Sequence, residues 1–574
     1  MELESNIPLI RKLWFHLPQT RKGQIFLLIG LTLLSSLAEI VSVAAVIPFL
    51  SLVAGSKSPL TQFLTDFFAN SFDFAPDNWI TIITIFFIAT VVIAAVIKIV
   101  MQTFLTYLAA RIGVDFGYKL FRVNLNQSFL NASKAHSGDA LAVLNKALLL
   151  VEQFIRPVFV MLSSIFLIMA IVITVLFLEP LISLSMFIGF GIVYFFIAFI
   201  LRNRIRLHSL LYAESHEKMV RTIQDGLGAN REIIMNQYEA VYSNKLLSIL
   251  SPMQNSFALI KILGGIPRHF IEAFGIILIC VLVLFFERTG EGFVEVIPIL
   301  GLFALAMHRS LPLMQQTYSS YTSIQGSFGM LRDVAYSLDK KQVIEFDGTQ
   351  FPFTNKICLK NIAFTYPGAD LPVLSGVSLT IKKGTIVGIS GPTGSGKTSL
   401  LDLLAGLLEP CSGSINVDNS LLSDLHKSSW MSKIAYVAQS TYLLDKPMIE
   451  NICFGVEPKD IDYDRLQRAI FLSDLTEFIA EQKDGINCLL GERGSKLSGG
   501  QRQKIGIARA LYKWPEILIL DEATSALDKA SEKRVMRGII EQKSDMTVVL
   551  VSHTPTTFEY CDEVFNLKSV ASKI

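Results

Sequence analysis

At 574 residues the chain has room for more than one domain, and with 51% hydrophobic and only 17% charged residues it carries more apolar surface than a water-soluble fold can bury, so a membrane portion is expected. A net charge of +2 with no long block of one sign lacks the electrostatic footprint of a nucleic-acid binder. Six cysteines (Cys280, Cys358, Cys411, Cys453, Cys488, Cys561) are scattered without a Cys-x-x-Cys pair and read as reduced, small hydrophobes rather than a disulfide or metal framework.

The N-terminus, MELESNIPLIRKLWF, has acidic residues and no short apolar core followed by a small-residue cleavage site, so a removed signal peptide is not expected. Ile25 to Leu52 is a 28-residue stretch whose only ionisable residue is Glu39. As a helix it would be roughly 42 Å long, enough to cross a bilayer with tilt. Trp79 to Ile97, Pro157 to Leu178 and Leu181 to Leu201 contain no charge and supply three further spans. A fifth and a sixth are expected at the shorter uncharged runs Ala273 to Phe286 and Val296 to Met307, which must borrow polar neighbours such as Glu272, His308 and Arg309 to reach about 20 residues.

Positive side chains resist translocation, which assigns the segments Arg111 to Leu150, with five Lys and Arg, and Arg202 to Arg268, with nine, to the cytoplasm. The loops Ala54 to Asn78, whose one cation is Lys57, and near Gly290, with Arg288, should face out. Both termini then lie in the cytoplasm of a multi-pass protein of the inner (cytoplasmic) membrane. The two basic segments keep heptad-like apolar spacing instead of turn residues, so their helices should continue well past the bilayer. After Leu331 the composition shifts; Asp339, Lys340, Lys341 and FDGTQFPFTNK mark a linker at 336–343 between a membrane domain at 1–335 and a second domain at 344–574. Short β-type runs (ICLKNIAFTY, VSLTI, GTIVGIS) open that second domain.

Within GTIVGISGPTGSGKTSLLDLLAGL, Gly391-Pro-Thr-Gly-Ser-Gly396-Lys397-Thr398 fits G-x-x-x-x-G-K-[ST] between a strand and a helix. Glycines there let backbone N–H groups turn towards phosphate oxygens, the helix N-terminus adds its positive end, Lys397 neutralises the β- and γ-phosphates, and the Thr398 hydroxyl can ligate Mg²⁺. Ile517-Leu518-Ile519-Leu520-Asp521-Glu522 is a hydrophobic strand ending in two carboxylates. Alone it would equally read as a parallel strand ending in a solvated turn; beside a P-loop it delivers Asp521 to Mg²⁺.

Between them lies Leu497-Ser-Gly-Gly-Gln501. In this order the three segments resemble the ATP-binding cassette (ABC) ATPases, over Ile344 to about Leu567. The resemblance implies ATP and Mg²⁺ as ligands. It implies that Tyr366 stacks on adenine, that Gly391, Gly394, Ser395, Gly396, Lys397, Thr398 and Ser399 hold the phosphates, and that Thr398, Gln439 and Asp521 surround Mg²⁺. Glu522 would be the general base, His553 a switch histidine on the γ-phosphate, and Ser525-Ala-Leu-Asp528 the loop coupling two sites. Ser498, Gly499, Gly500 and Gln501 would close on nucleotide held by an opposite subunit. One P-loop and one signature per chain resemble a half-transporter, with a homodimer as the simplest assembly and a heterodimer as the alternative. Thr554 and Pro555 depart from the family, whose members more often carry Arg and an aliphatic residue there.

The architecture implied is an α-helical transmembrane bundle of six spans, of the exporter type, followed by an α/β P-loop ATPase domain with a helical signature subdomain. Gly491-Glu-Arg-Gly494 resembles an exporter-specific segment contacting intracellular loops, and His136 to Asp139 with Leu141 to Val151, and Gln224 to Glu232, stand where those loops would end. No peptidase domain is expected ahead of the first span. Lys98, Lys261, Arg268 and Arg309, in or beside spans, are candidate contacts for an anionic head group; the structural alternative is that Arg156 and Arg268 mark membrane boundaries and that Lys98 pairs with an acid such as Glu39 or snorkels. Ala38-Glu-Ile-Val and Ile47-Pro-Phe-Leu50 resemble bacterial flippases of lipid-linked oligosaccharides. The resemblance therefore implies an amphipathic, anionic lipid-linked glycan as cargo, with a multidrug or lipid exporter as the nearest alternative. An ATP-gated channel would call for degenerate catalytic residues or a regulatory segment.

Overall fold

The computed structural model describes residues 2–55, 59–72, 79–130, 137–289, 293–339, 351–423 and 426–568, without the side chains of 2–7, 68–72, 137–142, 285–289, 293–296 and a few positions between 181 and 282. The chain divides into two compact units, 1–127 with 135–341, and 128–134 with 342–574.

The first unit is entirely helical. Helix α1 (Glu2–His16) precedes α2 (Gln19–Ala44) and α3 (Val46–Ala54), then α4 (Pro59–Phe72) and the 47-residue α5 (Trp79–Leu125). The predicted first span is thus broken at Ala45. Pro48 has no N–H to offer the carbonyl of Ala44, so the ladder stops one turn before it. Next come α6 (Ser137–Leu150), a π turn (Val151–Ile155) and α7 (Arg156–Leu178). Pro157 likewise leaves the Gln153 carbonyl without its helical donor, and the Ser323 hydroxyl supplies one at 2.9 Å. Helices α8 (Pro180–Gly228), α9 (Asn230–Asn236), α10 (Glu239–Thr289) and α11 (Phe293–Leu338) complete the unit.

Among the described residues five helices are long and apolar enough to cross a membrane, over Gln19–Ala54, Trp79–Leu125, Val143–Leu178, Glu239–Leu278 and Ile297–Leu338. The expected fourth span falls in α8. The fifth and sixth extend far beyond their short uncharged runs, because a helix inside a bundle tolerates Lys261, Arg268 and Arg309 along its length. At about 1.5 Å per residue, α5 is roughly 70 Å long. Such a helix outruns the bilayer, as its spacing predicts.

Packing joins α2 to α5, α7 to α11 and α8 to α10. Val43, Leu108, Phe116, Leu150, Ile171, Leu302 and Leu331 lie in one core. At Gly301 α11 comes so close to α3 that an added Cβ would meet the tip of the Leu50 side chain. Ion pairs brace the basic end, Arg21 to Asp115 at 2.7 Å, Lys146 to Asp333 at 2.8 Å and Lys12 to Asp339 at 2.6 Å, and His16 Nε2 is hydrogen-bonded to Asp339 at 2.9 Å. The last helix runs to Leu338, inside the stretch predicted as linker, and 340–350 fall outside the described residues.

The second unit contains an antiparallel sheet, β2 (Leu374–Lys382), β1 (Lys356–Phe364), β4 (Ser412–Val417), β5 (Ser420–Leu421), and a parallel sheet in the order β6 (Ile434–Val437), β7 (Ile517–Asp521), β8 (Thr547–Val551), β3 (Ile386–Ser390), β9 (Glu563–Asn566). Strands β7 and β8 are buried at every residue, as near-continuous Ile, Leu and Val runs covered on both faces require. Asp521 pairs with Val551, and Val551 with Ile389. The three central strands therefore end level, which gathers their C-terminal loops into one place.

Candidate functional site

Those loops carry the predicted residues. Between β3 and the helix α12 (Lys397–Leu404), Gly394 and Gly396 have φ of +79° and +91°, values that glycine alone adopts cheaply. A Cβ at Gly391 would come within 2.7 Å of the Leu567 carbonyl. Lys397 is buried and its ammonium donates to the carbonyls of Gly391 and Pro392 at 2.9 and 3.1 Å, so the loop encloses a positive charge. Ser395 Oγ is buried without any hydrogen-bond partner, an orphaned donor in a cradle of the kind that phosphate oxygens satisfy.

Asp521, 4% exposed, ends β7. Burial raises its carboxyl above the usual range, while hydrogen bonds from Thr398 and Tyr436 pull it back. The donor set Thr398, Asp521 and Gln439 is all hard oxygen. That suits Mg²⁺, which keeps few protein ligands and takes the rest of its shell from phosphate and water.

Glu522 follows Asp521 in the left-handed region, φ +51°, with its N–H donated to the Val551 carbonyl at 3.0 Å. Its carboxylate is held on both sides, Oε1 by His553 Nε2 at 2.7 Å and Oε2 by Gln439 Nε2 at 2.7 Å. The predicted base, switch histidine and Gln439 thus converge, with Glu522 the partner of both. Thr554 and Pro555 start a 3₁₀ turn, Pro555–Tyr560, whose Thr557 hydroxyl donates to Glu532 at 2.8 Å. Glu532 also accepts from Thr524 at 3.1 Å, which ties the segments after β7 and β8 together.

The helix α13 (Gly499–Tyr512) starts in a capping box: Ser498 Oγ accepts from the Gln501 N–H, and Gln501 Oε1 from the Ser498 N–H. A Cβ at Gly500 would come within 2.9 Å of the Ala526 carbonyl. Tyr366 exchanges a hydrogen bond with Ser399 Oγ at 3.0 Å and sets its ring edge-on to Phe364. Asp528 caps the helix Lys529–Ile540.

Two residues of α13 escaped sequence reasoning. Gln503, 6% exposed, accepts from the Ala526 N–H at 2.8 Å and donates to Ser525 Oγ at 3.1 Å and the Glu522 carbonyl at 3.3 Å. Arg509 donates to the carbonyls of Asn451 and Tyr442 at 2.8 and 2.9 Å and stacks over Phe454. A buried polar residue on the inner face of a signature helix was the available signal.

The four candidate head-group contacts do not form one site. Arg309 is neutralised inside the bundle, donating to Glu39 at 2.7 Å and Ser42 at 3.1 Å. The partner of Glu39 is therefore Arg309, in place of Lys98, which sits half-buried on α5. Lys261 lies over the Phe257 ring and Arg268 reaches Gln315 at 3.4 Å. Gln224 to Glu232 cover the α8–α9 junction, and Gly491 and Gly494 take φ of +74° and +70° in the turn ahead of the signature. His136 falls outside the described residues.

Residues 374–525 match the family described as ABC transporter. The chain is 28% identical to an ATP-dependent lipid A-core flippase of Ralstonia nicotianae over 354 residues, 60% of this chain and 59% of that one. It is 35% identical to multidrug resistance protein pgp-1 of Caenorhabditis elegans over 236 residues, 41% of this chain and 18% of that one. The chain thus spans between 18% and 59% of the length of these relatives. A solved bacterial Atm1-family ABC exporter with ATP bound superimposes with a TM-score of 0.74 at 18% identity, over 96% of this chain and 94% of that one. That likeness shows the fold.

Proposed function

We propose that this chain, which has the fold of an ABC exporter half and carries an ABC ATP-binding domain, is an ATP-driven flippase working as a dimer in the cytoplasmic membrane, with its ATPase domain and termini inside. The observation that carries the reading is the convergence of Lys397, Asp521, Glu522, Gln439 and His553 at the C-terminal ends of four adjacent strands, β6, β7, β8 and β3.

In this reading Lys397 exchanges its P-loop carbonyls for the β- and γ-phosphates of ATP, and Ser395 finds its missing acceptor there. Tyr366 flanks the adenine. Mg²⁺, held by Thr398, Asp521 and Gln439, supplies charge neutralisation at the phosphates. Glu522 takes the proton of the attacking water, His553 turns from Glu522 to the transferred phosphoryl group, and the products are ADP and inorganic phosphate. Ser498, Gly499 and Gly500 complete the site of the opposite subunit, so two chains make two sites. Binding closes the pair and turns the bundle outward; hydrolysis reverses it.

The cargo we favour is an amphipathic, anionic lipid-linked oligosaccharide. The 354-residue alignment to the lipid A-core flippase is longer than the ATPase domain and so reaches into the membrane domain, whereas the pgp-1 alignment has the length of an ATPase domain alone and says little about cargo. ATP hydrolysis by the purified chain in lipid nanodiscs, with polyprenyl-pyrophosphate glycans or cationic amphiphilic drugs added and Glu522→Gln as the blank, tests this. Stimulation by the glycan lipids supports it. Stimulation by drugs alone replaces it with the multidrug reading.

A further inference from the structure

A groove of about 450 Å³ runs along α5 of the membrane unit, away from Glu39 and Arg309. Ile99, Val100 and Phe104 wall it and the buried Leu108 is its floor, while Gln24 of α2 and Arg111 of α5 stand at one end. The two helices agree on where that end lies. Gln24 immediately precedes the uncharged stretch that begins at Ile25, and Arg111 is the first charge after Lys98. We take this level as the membrane boundary on the side of the basic helical extensions, which carries the second span past the uncharged run Trp79 to Ile97 and places Lys98 inside it. From Ile99 to Arg111 the helix rises roughly 18 Å, close to the ~15 Å hydrocarbon depth of one leaflet.

The polar end is prepared for an anion. Arg111 is exposed and forms no ion pair among the described residues. Arg21 is committed to Asp115 at 2.7 Å, and it also donates to Gln24 Oε1 at 3.0 Å. Arg21 occupies one lone pair of the Gln24 carbonyl, so the Gln24 amide N–H₂ and the Arg111 guanidinium are donors at this end, and Thr103 and Tyr107 add hydroxyls to the same lining. Tyr107, 66% exposed, lies in the last turn before the boundary, where aromatic rings sit at head-group depth.

We propose that this groove holds one anionic glycerophospholipid of that leaflet, its phosphate on Arg111 and Gln24 and an acyl chain along Ile99, Val100, Phe104 and Leu108. The proposal rests on the membrane reading alone, not on ATP hydrolysis.

Native mass spectrometry of the full-length chain in detergent, without nucleotide, titrated with phosphatidylglycerol or phosphatidylcholine, tests it. One phosphatidylglycerol per chain should bind about tenfold tighter than phosphatidylcholine, the difference that one charge-assisted contact supplies. Arg111→Gln should erase that preference, and Phe104→Trp, which fills the groove, should weaken both lipids. Glu522→Gln should bind phosphatidylglycerol as the wild type does, so a failed ATPase reading leaves this result standing. Both groove variants are to be compared at wild-type thermal stability and elution volume. Equal affinity for the two lipids, undiminished phosphatidylglycerol binding by Arg111→Gln, or displacement by equimolar inorganic phosphate would overturn the proposal.

Discussion

Replacing Gln503 by alanine should slow ATP hydrolysis by about 10- to 100-fold while changing the KM for ATP less than about threefold. The side chain makes three hydrogen bonds, to Ala526 N–H, Ser525 Oγ and the Glu522 carbonyl. Without it three hydrogen bonds are lost, each worth about 0.5–1.5 kcal/mol, among them the acceptor of the part-buried Ala526 N–H. Glu522 meanwhile sits at φ +51°, a conformation that costs a non-glycine residue about 1–2 kcal/mol and needs its surroundings to hold it. The restraint removed is therefore as large as the strain it opposes, and the Glu522 backbone can relax. A general base moved by about 1 Å loses on the order of a hundredfold in rate. Lys397 and Tyr366 are untouched, so ATP binding should persist. Gln503→Glu keeps the acceptor for Ala526 but loses both donors and should fall between alanine and wild type. Steady-state hydrolysis across ATP concentrations, with thermal unfolding as a check on folding, decides it. An unchanged kcat in Gln503→Ala, or a loss confined to KM, would refute the reasoning.

Glu522→Gln should bind ATP but hydrolyse it at least about 100-fold more slowly, the contribution of a positioned base, and near-normal turnover would remove Glu522 from that role. Glu39→Ala strands Arg309 among apolar helices and should cost about 2–3 kcal/mol, between values for buried pairs in water-soluble cores and for membrane hydrogen bonds. Glu39→Leu with Arg309→Met should regain most of that in a detergent melt; a double variant no more stable than Glu39→Ala would argue against a pair. Burial pushes the Asp474 carboxyl up, but Arg534 and Lys504, each at 2.6 Å, outweigh it and hold it down at about 2. A depressed carboxylate contributes its stability above the unfolded value of 3.8 and loses it as pH falls towards 2. Asp474→Asn should thus cost about 2 kcal/mol at pH 7, a drop of roughly 4–8 °C in Tm for a domain of this size, and the difference should shrink below pH 4; a constant difference across that range would show that charge is not the cause.

The ATP-binding end of the chain was legible because its chemistry depends on properties that single residues carry. Gly394 and Gly396 are required by positive φ, Ser498 and Gln501 by the two ends of a capping box, and the Ile517 to Leu520 run by burial on both faces of a sheet. Such demands leave their mark at fixed local spacing. Gln503 and Arg509 were missed although they lie on the same helix as the signature, since their partners at Ser525, Ala526, Tyr442 and Asn451 are set by how loops fold back on α13. The break at Ala45 was in principle readable from Pro48, but hydropathy, which placed the span, does not register a missing N–H.

The membrane unit hid more, for a reason specific to lipid. In a water-soluble helix the buried face is apolar and the exposed face polar, so the sequence encodes how the helix is rotated. On α5, Ile83 is 1% exposed and Ile85 is 62% exposed, the same residue type on opposite sides. Lipid tails are as apolar as the core, so no selection for polarity distinguishes the faces. Hydropathy could therefore say that Glu39, Lys98 and Arg309 lie within spans but not which of the two cations turns towards Glu39. That choice needed packing detail instead: α11 lies close against α3 at Gly301, and two turns further along the same helix Arg309 meets Glu39 and Ser42 of α2. The rotation of a span is written in its small residues and its rare charges, and it becomes readable only when both are considered together across helices 270 residues apart.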